Sequence, residues 1–126
     1  MSEEPAGRGS WNRYYRALWE HCKAKPDAKE EHPWGDTVFK VRGKGFAFMG
    51  PYGSSGGVTV KPPADEREGL LGVPYISKAK YIGRYGWVDV RVEDDESLRL
   101  ALELIDDTYE QIASRGRSKR GSARSG

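Results

Sequence analysis

Over residues 98–112 the apolar side chains Leu98, Leu102, Ile105, Tyr109 and Ile112 recur at offsets of 4, 3, 4 and 3, with Ala101 and Leu104 beside them. That period marks one face of a long α-helix, capped at Asp94 or Asp95 and stopped by Gly116. A helix with a single apolar stripe has to bury it against a second layer. The second layer is announced immediately upstream, where Trp87, Val88, Val90 and Val92 carry a β signal and Asp89 and Arg91 are interleaved on the opposite face.

The rest of the chain supplies more of both layers. Ser10 is a plausible N-cap for a first amphipathic helix on which Trp11, Tyr15, Leu18 and Cys22 form a stripe widened by Tyr14 and Trp19. Residues 25–36, punctuated by Pro26 and Pro33, read as a loop with room for one short extended piece. Residues 37–42 and 46–49 flank Gly43-Lys44-Gly45 and predict a β-hairpin, with Val38, Phe39, Val41 and residues 46–48 as core candidates. A glycine-rich turn over residues 50–57 leads to a third strand, 58–61, then to a short helix with an acidic first turn over residues 64–71. A short extended piece within residues 75–82 precedes the strand at 87–92. The expected order is α-β-β-β-α-β-β-α, an α+β fold in two layers, with an antiparallel sheet of about five strands and helices on one face.

At 126 residues the chain fits one domain. Residues 10–114 form that domain, and the ends, 1–9 and 115–126, are expected to be disordered. No apolar run approaches a membrane span, and the acidic N-terminus lacks a secretory pattern, so a cytoplasmic location is the expectation. One cysteine excludes an internal disulfide. The net charge of +2 hides an asymmetry: residues 115–126 carry five cations and no acid, which leaves 16 cations against 19 carboxylates in residues 1–114. The body is mildly acidic, and polyanion binding by it therefore requires a local patch.

Catalytic and metal chemistry find no support in the residue pattern. His21, Cys22 and His32 lack metal-ligand spacing, and His21 and Cys22 diverge as helix neighbours, with Cys22 on the apolar stripe. The acidic run from Glu93 to Glu96 suits a helix N-terminus. Residues 50–57 lack the Gly-Lys-Ser/Thr ending of a phosphate loop. No cofactor is implied and no Ser-His-Asp set suggests itself. Cations and aromatics are the chemistry that remains: Lys40, Arg42 and Lys44 on one hairpin, and Lys78, Lys80 and Arg84 with Tyr81 and Tyr85 before the last strand. Such groups suit phosphate contacts.

In this order, Pro33-Trp34-Gly35 ahead of a strand, Val41-Arg42-Gly43-Lys44 followed by Phe46-Ala47, Val60-Lys61 before the short helix, Arg84-Tyr85-Gly86-Trp87 entering the last strand and Thr108-Tyr109 in the final helix resemble the MmcQ/YjbR family of small bacterial proteins. The resemblance spans roughly residues 11–113. It implies an α+β fold similar to type III secretion chaperones and a DNA-binding role through a "double wing" of β-hairpins. Carried onto matching positions, it implicates Arg42, Lys44, Lys61 and Arg84. Where the family often has an asparagine-lysine pair and a histidine before the tryptophan, this chain has Gly83-Arg84 and Gly86. The expected function is non-enzymatic binding of double-stranded DNA by the basic hairpins and tail. The alternative is a protein-protein interaction module, and a monomer is favoured in either case.

Overall fold

The computed structural model describes residues 12–51 and 57–114, apart from the side chains of Trp34 and Pro51. Helix α1 (Arg13–Lys23) is followed by strands β1 (Lys29–Glu31), β2 (Asp36–Val41), β3 (Lys44–Pro51) and β4 (Gly57–Val60), helix α2 (Ala64–Leu70), strands β5 (Ile76–Lys78) and β6 (Val88–Arg91), and helix α3 (Asp95–Ala113). All neighbouring strands pair antiparallel in the order β1-β2-β3-β4-β6-β5. The sheet thus has six strands. The addition to the expected order is β1, inside the segment read as a loop. Its three residues are charged, and it is held by pairing Lys29, Glu30 and Glu31 with Lys40, Phe39 and Val38 of β2.

Ser10, Trp11, residues 52–56, Gly116 and both predicted disordered ends lie outside the described residues. Asn12 caps α1 by accepting the Tyr14 and Tyr15 N–H groups. Asp94 caps α3 in a reciprocal box with Ser97, as one of the two expected positions. The hairpin turn is shorter than expected: Val41 pairs with Lys44, leaving Arg42 and Gly43 as a two-residue loop at φ 54° and 81°. Both positions of such a turn require positive φ, so Arg42 occupies a place that favours asparagine or glycine.

Helix α3 packs across β2, β3, β4 and β6, and α1 packs on α3. Tyr15, Leu18, Trp19 and Cys22 from α1 join Phe39, Phe46, Val58, Val60, Val88 and Val90 from the sheet and Leu104, Ile105 and Tyr109 from α3 in one core. Phe46 meets Tyr109 edge-on at 5.2 Å, and Trp19 meets Phe39 at 6.5 Å. The buried face of α3 is centred on Ala101, Leu104, Ile105 and Thr108, and Leu98 and Leu102 flank it half-buried. On the sheet's other face, Val38, Phe48, Thr59, Asp89 and Ser77 form a cross-strand row. Phe48 is therefore not a core residue between the layers. Among the described residues no helix is long and apolar enough to cross a membrane.

Candidate nucleic-acid interface

Antiparallel pairing sorts charge along the strand direction. At one end of the sheet Lys29 opens β1 opposite Lys40, the Arg42–Gly43 turn leads to Lys44, β4 runs out into Lys61, and Lys78 closes β5 beside Val88 at the start of β6. At the other end Glu31 closes β1, Asp36 opens β2, and β6 runs into Glu93, Asp94, Asp95 and Glu96. A molecule with a mildly acidic body thus presents a cationic rim and an acidic rim.

Trp87 stands at the middle of the cationic rim, where its half-buried ring meets Phe48 edge-on at 5.2 Å. It lines two cavities. The first, about 320 Å³, is bordered by Lys44, Lys61, Phe48, Thr108, Gln111 and Ile112. The second, about 210 Å³, is bordered by Arg67, Lys78, Arg84, Gly83, Leu71 and Val88. Among the described residues no carboxylate lines either. Lys44, Lys61, Arg67, Lys78, Lys80, Arg84 and Arg42 enter none of the ion pairs formed among the described residues.

Backbone geometry holds these groups in place. Thr108 Oγ1 accepts the Lys61 N–H at 3.0 Å, and Gln111 Nε2 donates to the Lys61 carbonyl at 2.9 Å, so α3 fixes the end of β4. Gly86, at φ 101°, ends the tight turn before Trp87, and a Cβ there would lie 2.7 Å from an Arg67 guanidinium nitrogen. A Cβ on Gly83 would lie 2.5 Å from Lys78 Cγ. The two glycines thus let the Lys78 stem and the Arg67 guanidinium lie against the backbone. Arg84 sits over the Tyr85 ring at 5.1 Å. Tyr81 and Tyr85 are 90% and 58% exposed, so neither seals the sheet edge.

The sequence-derived candidates accordingly divide. Lys44, Lys61, Lys78 and Arg84 converge on Trp87, with Tyr85 stacked on Arg84 and Lys80 exposed in the same connection. Lys40 and Arg42 instead line a separate cavity with Asp27, Lys29 and Glu31, where Lys40 pairs with Glu31 at 3.0 Å. Arg67 is the residue that sequence reasoning passes over. Its signal is Gly86, whose missing side chain leaves room for a cation on α2.

Other clusters have structural explanations. Glu30, His32, Thr37 and Tyr15 form a hydroxyl-imidazole-carboxylate chain that no spacing in the sequence suggests, with His32 Nε2 at 3.0 Å from Glu30, His32 Nδ1 at 3.4 Å from Thr37 Oγ1, and Tyr15 Oη at 2.8 Å from Thr37. Thr37 is fully buried and its hydroxyl is engaged by Tyr15, so no substrate reaches it. Burial pushes the Cys22 thiol well above its usual range, which suits a core residue and not a nucleophile. Among the described residues no cluster of three or more His, Cys, Asp or Glu side chains can hold a metal ion. A larger concavity, about 570 Å³ on the open sheet face, carries Asp36 and Asp89, with Arg91 paired to Glu93.

The sequence model of the YjbR family matches residues 23–111. No curated protein matches the chain. A crystal structure of a protein from Pseudomonas syringae, determined by the Northeast Structural Genomics Consortium, is similar in fold, with a TM-score of 0.59 and 18% identity over 79% of this chain and 97% of that one.

Proposed function

The chain belongs to the YjbR family, and we propose that it is a non-enzymatic protein of the cytoplasm that holds double-stranded DNA by its phosphates through the rim around Trp87. The reading is carried by one observation: two adjoining cavities share Trp87, are bordered by Lys44, Lys61, Arg67, Lys78 and Arg84, and are lined by no carboxylate among the described residues. Cations on strand ends and turns that no acid neutralises suit phosphate oxygens, which position a duplex without reading its sequence. Residues 115–126 add five more cations.

Duplex binding by the wild-type chain and by a K44Q/K61Q variant, measured by fluorescence anisotropy over a salt series, tests the proposal. Removing one phosphate contact lowers the slope of log affinity against log salt by about 0.9, so the double variant is expected to be about 1.8 shallower. Equal slopes would defeat the reading. The exposed Tyr81 and Tyr85 favour a second reading, a polypeptide partner covering them. Capture of one such partner that survives nuclease treatment, together with failure to bind duplex, would select it.

A further inference from the structure

We infer that the cavity between α2 and the turn before β6 is a seat for a single phosphate group, with Arg67 as its anchor. The claim is narrower than the rim and rests on it only for the idea that strand phosphates come within reach. At about 210 Å³ the cavity is smaller than the space that drug-sized ligands occupy, so it fits one compact group. Three cations from three separate places in the chain, Arg67 on α2, Lys78 at the end of β5 and Arg84 in the turn, border it, and no acid among the described residues does.

The state of Arg67 is the second observation. Its Nε is buried and has no hydrogen-bond partner among the described residues. A guanidinium offers five donors in a planar fork, and burying one of them unsatisfied is unfavourable unless an acceptor arrives. The guanidinium lies against Gly86, where any Cβ would displace it. Lys78 is directed over Gly83 in the same way, and Trp87 also lines the cavity. A tetrahedral oxyanion between these groups meets the guanidinium forks of Arg67 and Arg84 and the point charge of Lys78 together. Strand phosphates and free phosphate compounds share this chemistry.

The full chain is titrated with inorganic phosphate at constant ionic strength while the Arg67 Nε–H and Trp87 Nε1–H resonances are followed by NMR. Saturable shifts of both, absent with chloride, are expected in the wild type, and the Trp87 shift should be lost in R67M. R67M removes the unsatisfied donor while keeping an apolar stem, so its Tm should equal or exceed that of the wild type; a fall in Tm with the Trp87 phosphate shift intact would overturn the assignment. Shifts that a duplex oligonucleotide competes away assign the seat to strand phosphates, and shifts that persist beside bound duplex assign it to a free phosphate compound. Absence of a saturable shift refutes the seat even if duplex binds. Saturable shifts in a chain that binds no duplex keep the seat and refute the rim.

Discussion

The hydroxyl of Thr108 lies 3.0 Å from both the amide nitrogen and the carbonyl oxygen of Lys61. One buried side chain on the long helix therefore fixes the point where β4 leaves the sheet, and with it a cation of the rim. Leu104 O, at 2.8 Å, is a second acceptor for the same hydroxyl.

Replacing Thr108 by valine keeps the volume and removes the bond, leaving the Lys61 N–H without its acceptor. Stability should fall by about 1–3 kcal/mol, read by urea unfolding. Duplex affinity should fall as well, because Lys61 is no longer held toward the rim.

Arg67 gives the opposite sign. R67M relieves a buried unsatisfied donor whose cost is about 1–3 kcal/mol, so thermal unfolding should show unchanged or greater stability. Duplex affinity should nevertheless drop. A loss of stability in step with affinity would make Arg67 a packing residue.

Lys40 is the internal control among the cations. Paired with Glu31 at 3.0 Å and turned to another cavity, it should contribute nothing to the salt slope of duplex binding. K40Q is expected to match the wild-type slope, whereas R84Q should be about 0.9 shallower by the same titration.

Acid should loosen the contact between α1 and α3. Burial raises the Asp106 carboxyl, but hydrogen bonds from Lys25 at 2.5 Å and His21 at 2.7 Å outweigh it and hold the group below its ordinary range. At Asp94 the Ser97 backbone N–H and hydroxyl do the same. A carboxyl depressed in the folded state contributes stability above its unfolded pKa and loses it as pH falls through the folded value. Unfolding free energy should therefore decline below the ordinary carboxylate range, and D106N should flatten part of that decline while costing up to about 1 kcal/mol at neutral pH. Identical acid limbs in D106N and wild type would contradict this assignment.

What the sequence makes legible follows from where the physics is local. The 4-3-4-3 period of α3 and the alternation of β6 declare themselves within one element and both elements form, although the buried face of α3 turns toward Ala101, Leu104 and Thr108 and leaves Leu98 and Leu102 half-buried. Strand β1 hides because its Lys-Glu-Glu composition has no apolar alternation; it exists only by pairing along β2. The hairpin register escapes a local reading because Gly45 suggests a longer turn, whereas Arg42 accepts a left-handed backbone. At the site, Lys44, Lys61, Lys78 and Arg84 are visible as cations, but their convergence depends on β6 inserting between β4 and β5, which no local pattern encodes. Arg42 and Lys40, nearest in sequence to Lys44, separate from it because they face the β1 side.

The most direct test of the rim is the salt dependence of duplex affinity for the chain ending at Ser114, which keeps every described element and lacks the five tail cations. With five rim cations engaged, log affinity should fall against log salt with a slope near about −4.5, and K61Q should bring it to about −3.6. Binding that vanishes with the tail, or a slope near zero, would contradict the claim that the folded body holds the duplex.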